Sequence, residues 1–347
     1  MQKNAIFVKM LDIKNRGNSV RALVTGSNGF IGSFLVEKLL GEGYDVRCLV
    51  RQTSNLRWIK DLPVDFVYGE LRQPSTLLDA VRDVDIVYHL GGVTRGRKMQ
   101  DYIDGNYTAT LNLLKACREI GHAEQKFVFV SSQAAGGPST DERALTEKEA
   151  QHPISMYGRS KHMAEQAVLE FAETRPATII RPPSVYGPRD TDFYLLFKNA
   201  QRGFLPVVGN GRQKISTIFI NDLTNGLYLA GIKEQANGEI FFLTFNLPVS
   251  FADLIDIIGS AMDVKVRRLN MPLAAVRMVA TASAIGSILT KKPTIINHDK
   301  YMEMKQTAWI CSGEKAKKLL GFQAQVGIED GMRSTAAWYK EQGWLRF

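Results

Sequence analysis

From Val20 onward the chain alternates short apolar runs with stretches whose apolar positions recur at helical spacing. The β-rich run 20–25 stops at a glycine turn, and 31–40 follows as an amphipathic helix that ends on Gly41 and Gly43. Strands are predicted at 45–50, 64–68, 85–90, 126–131 and 177–181, with helices at 74–81, 107–120 and from Met156 to about Glu173. Such regular alternation predicts an α/β fold with a doubly wound parallel sheet covered on both faces. Sheets of this kind bind ligands beyond the carboxyl ends of their strands, so the residues just after each strand carry the candidate chemistry.

Beyond Arg181 the pattern loosens. Pro182, Pro183, Gly187 and Pro188 interrupt it, then come a short helix at 193–201, strands at 215–220 and 239–244 with a helix at 222–230 between them, and a mainly helical stretch from Phe251 to the end. The expected organisation is a flexible leader over 1–18, a nucleotide-binding domain over 19–185 to which 217–245 returns, and a smaller, mainly helical C-terminal substrate region over 186–347. The apolar stretch 273–289 contains Arg277 and falls short of the ~20 residues of a membrane span. It reads as a buried or amphipathic helix, with no integral span and with peripheral membrane contact as the lesser alternative.

Lys and Arg exceed Asp and Glu, leaving a formal net charge of +9. The bases are scattered without an aromatic-interleaved stripe, which argues against nucleic acid as a partner and for an ordinary surface beside an anionic small molecule. Cys48, Cys117 and Cys311 lie far apart, with no histidine at ligand spacing, so no metal site is expected and a reducing, cytoplasmic compartment is the natural reading.

The first turn reads Thr25-Gly26-Ser27-Asn28-Gly29-Phe30-Ile31-Gly32. Gly26 permits a tight reversal, Gly29 lets a pyrophosphate approach the backbone, and Gly32 lets helix and strand pack closely; the helix start at Phe30 and Ile31 then offers free N–H groups to the phosphates. At the end of the second strand, a carboxylate would accept from the ribose hydroxyls of NAD. Here Arg51 stands there instead, followed by Gln52, Thr53 and Ser54. A guanidinium suits a 2′-phosphate, which favours NADP, with NAD as the alternative.

Tyr157 and Lys161 lie four positions apart at the start of a helix, so phenol and ammonium share one face. A nearby cation stabilises a phenolate that is otherwise a poor base at neutral pH. The fifth strand delivers Ser131 and Ser132 to its carboxyl end, where a hydroxyl can polarise a carbonyl.

Together these residues resemble the extended short-chain dehydrogenase/reductase (epimerase/dehydratase) family over nearly the whole chain from Val20. The resemblance rests on the glycine turn, Asn106 within Gly105-Asn106-Tyr107, the paired serines, Tyr157/Lys161 and the run from Arg181 to Arg189. It implies a Rossmann fold in which Tyr157 is the acid/base, Lys161 holds the ribose and tunes the tyrosine, Ser132 rather than Ser131 faces the substrate, Asn106 braces the site or its proton relay, and Pro183 lies near the nicotinamide. Two departures occur along the cofactor. Gly69-Glu70-Leu71 stands where the family usually has an Asp contacting adenine, and His89-Leu90-Gly91-Gly92 replaces His-Leu-Ala-Ala.

Gln133 and Ala134 stand where dehydratases of this family carry an acidic pair, which argues against dehydration. Ser184 replaces the Asn of nucleotide-sugar enzymes, and Ile215 or Ser216 stands where those enzymes place an Arg for the diphosphate, although Arg212 or Lys214 can substitute. The residues Phe193, Tyr194, Leu195, Leu196, Phe197, Phe204 and Leu205 would line an apolar substrate site or simply form core. The overall look is closest to the 3β-hydroxysteroid dehydrogenase and dihydroflavonol reductase branch. It implies NADP(H)-dependent hydride transfer to or from a hydrophobic or cyclic ketone or alcohol. The alternatives are a nucleotide-sugar epimerase with tightly bound NAD and a non-catalytic NADP-binding scaffold. Similar proteins often dimerise through the helices at 107–120 and 156–173, so a homodimer is expected, and the loop Arg95-Gly96-Arg97-Lys98 is either a solvated loop or a contact for an anionic substrate group.

Overall fold

The computed structural model describes residues 19–140, 142–290 and 298–347, so the leader expected over 1–18 lies outside the described residues. The chain runs β1 (Arg21–Thr25), α1 (Phe30–Gly41), β2 (Asp45–Val50), β3 (Asp65–Tyr68), α2 (Leu78–Val81), β4 (Ile86–His89), α3 (Met99–Tyr102), α4 (Ala109–Ile120), β5 (Lys126–Val130), α5 (Gln133–Gly136), α6 (Met156–Ala172) and β6 (Ala177–Arg181). It continues through β7 (Ser184–Tyr186), α7 (Asp192–Ala200), β8 (Phe204–Val208), β9 (Lys214–Phe219), α8 (Ile220–Ile232), β10 (Ile240–Phe242), β11 (Phe245–Ser250) and α9 (Phe251–Ala261). The last elements are β12 (Arg267–Met271), α10 (Leu273–Thr290), α11 (His298–Met304), β13 (Ala308–Trp309), α12 (Glu314–Leu320) and α13 (Ile328–Glu341).

Seven strands form one all-parallel sheet in the order β10-β6-β5-β4-β1-β2-β3. Every residue of β4, β5 and β6 is buried, because helices cover both faces. Alternate side chains serve the two sides. Val24, Val128 and Ile180 pack with Leu35, Leu39 and Leu227 of α1 and α8, whereas Leu23, Phe127, Phe129 and Ile179 pack with Leu113, Val168 and Phe171 of α4 and α6. The chain leaves β1 toward β2 and β3 on one side and reaches β4, β5 and β6 on the other, so the switch point lies between the adjacent ends of β1 and β4.

Several boundaries differ from the sequence expectation for local reasons. The helix expected over 74–81 divides into a single 3-10 turn, Pro74–Thr76, and the short α2. The helix expected from 107 begins instead in a π-helical turn, Ile103–Thr108, which precedes α4 and carries Asn106. The region beyond Phe251 is not wholly helical. β12 pairs in parallel with β8, and β13 pairs with β9, whose other partners are β7 and β11. These strands are short or carry exposed polar residues, so alternation does not mark them. In the expected dimer helices, Leu114 and Val168 face the sheet as core.

Candidate active site

The carboxyl end of β1 opens the glycine turn. Gly26 has φ +71°, and a Cβ there would sit 2.9 Å from the Gly91 nitrogen. At Gly32 a Cβ would stand 2.1 Å from the Gly26 carbonyl oxygen, so helix and turn pack backbone to backbone. Gly29 is the N-cap of α1, and no side chain caps that helix end. The first turn of α1, with Phe30 and Ile31, therefore keeps amide N–H groups and a positive dipole end for an outside anion. Ser27 is buried in the turn, while Asn28 donates through Nδ2 to the carbonyl of Asn55 at 3.4 Å.

After β2, Arg51 is exposed and its backbone N–H donates to Ser54 Oγ at 3.0 Å. No carboxylate occurs between Arg51 and Arg57. After β3, Thr76 Oγ1 ties down the backbone of Glu70, and Asn112 Nδ2 donates to the Leu71 carbonyl at 3.0 Å. Leu71 lies against Gly91, where a Cβ would meet Leu71 Cδ1 at 2.7 Å. Leu90 and Gly91 thus lie against the glycine turn, with Leu71 packed on Gly91 and Glu70 preceding it in the chain.

A buried chain of hydrogen bonds joins that turn to the catalytic side. Thr110 Oγ1 donates to the Asn106 carbonyl at 2.6 Å. It therefore accepts from His89 Nε2 at 3.0 Å, which leaves Nδ1 to accept from Thr25 Oγ1 at 2.7 Å. Thr25 Oγ1 in turn accepts from the Gly91 N–H at 3.0 Å. Burial, aided by the Lys161 charge, pushes His89 down to about 3, so the imidazole is neutral, as this donor order requires. The Asn106 side chain holds the loop after β4 through Val93, accepting from its N–H at 2.7 Å and donating to its carbonyl at 3.0 Å. Its Nδ2 also donates to Ser160 Oγ on α6 at 2.8 Å.

The first turn of α6 carries Tyr157, and Lys161 follows one turn later. Lys161 is buried, its Nζ donating to the Val130 carbonyl at 2.7 Å and lying 4.4 Å from the centre of the Phe129 ring. Burial pushes its ammonium down to about 8, against the opposing pull of Glu165. Burial also pushes the Tyr157 phenol up to about 12; a hydrogen bond with Ser132 lowers it, and Glu303 and Tyr102 raise it. Before any ligand enters, both members of the pair are thus driven toward their neutral forms. Ser132 caps α5, its hydroxyl accepting from the Ala134 N–H at 3.2 Å. Ser131 Oγ and Gln133 Nε2, on either side of it in sequence, are buried without a hydrogen-bond partner among the described residues. Pro183 follows β6, next to Pro182, whose carbonyl accepts from the Gln133 N–H at 2.9 Å.

Two supports escape the sequence reading. Arg181 and Glu165 form a fully buried two-pronged ion pair, Nε to Oε1 at 2.8 Å and Nη2 to Oε2 at 2.6 Å, that locks the end of β6 to α6. An arginine closing an apolar strand was the available signal, since a buried guanidinium needs a partner. The second is Asp299 of α11. Its carboxylate accepts from the Met156 N–H at 3.0 and 2.9 Å and from the Tyr157 N–H at 3.3 Å. No local pattern marks that contact.

Of the two readings open for the apolar residues after Arg181, core holds for Phe193, Phe197 and Leu205, which belong to a cluster shared with α9 and α13, with Tyr194 and Leu196 packed against it. These side chains meet neighbouring elements at the period of their own helix or strand, so they fill the interior of the second half. In the basic loop, Arg95 pairs with Asp192.

A family model described as the NAD dependent epimerase/dehydratase family matches residues 22–243. Ceramide reductase of Caulobacter vibrioides is 28% identical, over 93% of this chain and 95% of its own. The human sterol-4-alpha-carboxylate 3-dehydrogenase (decarboxylating) is 26% identical, over 92% of this chain and 88% of its own. The crystal structure of gox2253 superposes with a TM-score of 0.80 at 27% identity, covering 95% of this chain and all of that one (100%).

Proposed function

The chain belongs to the NAD dependent epimerase/dehydratase family and is an NAD(P)-dependent enzyme of the short-chain dehydrogenase/reductase type, and we propose that it reduces a hydrophobic ketone with NADPH, using Tyr157 as the proton donor. The observation that carries this reading is the pair itself: Tyr157, whose phenol pKa the Ser132 hydroxyl lowers, one helical turn from buried Lys161, at the carboxyl ends of the strands where α1 presents its uncapped end.

The residues present fit a dinucleotide. No side chain caps α1 after the turn at Gly26, Gly29 and Gly32, so its first amides can meet a pyrophosphate, and Leu90, Gly91 and, through Gly91, Leu71 lie beside that turn, with Glu70 next in the chain. Arg51 would pair with a 2′-phosphate, and Lys161 would meet the ribose of the nicotinamide half. The cofactor, when bound, supplies the hydride. Tyr157, protonated at neutral pH, donates its proton to the carbonyl oxygen as that oxygen gains charge, and Ser132 steadies the same oxygen. Lys161, held by the Val130 carbonyl, favours the phenolate left behind. Asn106 keeps α6 and the loop after β4 in register.

Reductases of lipid-like molecules among the relatives support an apolar substrate: the Caulobacter protein is named for ceramide, and a relative in Stigmatella aurantiaca for a farnesyl-bearing quinoline oxide. The test follows absorbance of NADPH and NADH with a panel of long-chain, sterol and cyclic ketones. Turnover with an apolar ketone and a preference for NADPH are expected. A clear NADH preference overturns the cofactor assignment, and conversion of a nucleotide sugar without net cofactor use overturns the reaction.

A further inference from the structure

Seven large apolar side chains stand exposed among the described residues, and five belong to one unit: Phe204 of β8, Leu269 of β12, and Leu273, Met278 and Val279 of α10. β8 and β12 pair in parallel with Phe204 opposite Arg267 and Pro206 opposite Leu269. With side chains alternating along a strand, those four residues share one face of the ribbon, and all four are exposed, while Leu205 and Val207 turn inward to the core. α10 starts just beyond β12. It buries Val276 and Ala280 and leaves Leu273, Arg277, Met278 and Val279 outside.

The charge on this unit has one sign. Between Val264 and Thr290 the sequence has four bases, Lys265, Arg267, Arg268 and Arg277, and no Asp or Glu. Arg268 pairs with Asp256 of α9; Lys265, Arg267 and Arg277 are exposed. No helix among the described residues is long and apolar enough to cross a membrane, so a surface of this composition would lie on a bilayer rather than span it.

We propose that the exposed surface of β8, β12 and α10 docks the protein on an anionic lipid surface, with Phe204, Leu269 and Met278 entering the headgroup boundary and Arg267 and Arg277 meeting lipid phosphates. Charge complementarity selects this occupant over a second copy of the chain. A two-fold contact would set the same basic patch against itself, whereas an anionic leaflet neutralises it. The same segment leads, beyond α10, to α11, whose Asp299 holds the catalytic helix.

Sedimentation of the full chain with vesicles of phosphatidylcholine, with and without phosphatidylglycerol, tests this without requiring turnover, so its outcome is separate from that of the ketone assay. Retention on the anionic vesicles, released by salt, is expected. Met278→Glu and Arg267→Glu should each weaken it by about tenfold. Both positions are exposed, and the Tm of each variant should stay unchanged, which shows the variants to be folded. Failure to pellet with anionic vesicles overturns the proposal, as does equal retention on neutral ones. So does a dimer of the unaltered chain that Met278→Glu splits into monomers, which would assign the face to a second copy.

Discussion

Two helices present their N-termini to the same crevice, and the chain treats them in opposite ways. At α1 the cap is Gly29, and no side chain accepts from the first amides of the helix. At α6 every early amide is taken: Gly158 donates to Ser155 Oγ at 3.1 Å, and Met156 and Tyr157 donate to the carboxylate of Asp299. Both ends carry the same partial positive charge. One leaves it for an anion from outside, and the other neutralises it with an acid of its own. An open helix end thus leaves donors free for a ligand, whereas a closed one makes a rigid mount for the Tyr157 side chain.

The largest break in this comparison is expected at the mounted group. Tyr157→Phe should lower kcat by about 10²–10⁴-fold, while cofactor affinity, measured by fluorescence titration, stays near that of the unaltered chain. A comparable loss of cofactor binding would show that the two helix ends are not separable.

At the open end, Arg51→Asp should weaken NADPH by roughly 10–100-fold, the worth of a charge-assisted contact of about 1.5–3 kcal/mol, and should spare NADH. Equal losses for the two cofactors would remove Arg51 from the 2′-phosphate.

At the closed end, Asp299→Ala strips acceptors from two amides and should cost about 0.5–2 kcal/mol of stability, read as a lower Tm. The first turn of α6 then loosens, so kcat should fall severalfold more than KM changes, by an amount on the order of that expected for a displaced catalytic group. Asp299→Asn keeps one acceptor and should recover much of the loss. A variant with a lower Tm but unaltered kcat would leave Asp299 a purely structural cap.

The smallest effect concerns Lys161. Its folded value of about 8 lies below the ordinary 10.5, so the native state is penalised for holding the charge below about pH 8. That penalty fades as pH rises from about 8 toward 10.5. The Tm of the unaltered chain relative to Lys161→Met should therefore improve across this window. A difference that is flat, or that runs the other way, would mean that the ammonium is not desolvated there.

The sequence alone carried whatever depends on neighbours along the chain. Apolar runs and helical spacing marked the parallel sheet because burial on both faces demands it, and the turn from Gly26 to Gly32 was legible because only glycine fits backbone against backbone there. Tyr157 and Lys161 shared a face by helical period alone. What it could not decide was which distant groups meet. Thr25 and His89 are 64 positions apart, and Asp299 reaches the start of α6 from 143 positions away. Aliphatic and aromatic residues around Phe193 and Phe197 read equally as pocket or core, because periodicity tells that a side chain is buried but not against what. The sheet order brought the open end of α1 and the closed end of α6 to one crevice, and that placement, a product of long-range packing, turned local motifs into a single candidate site.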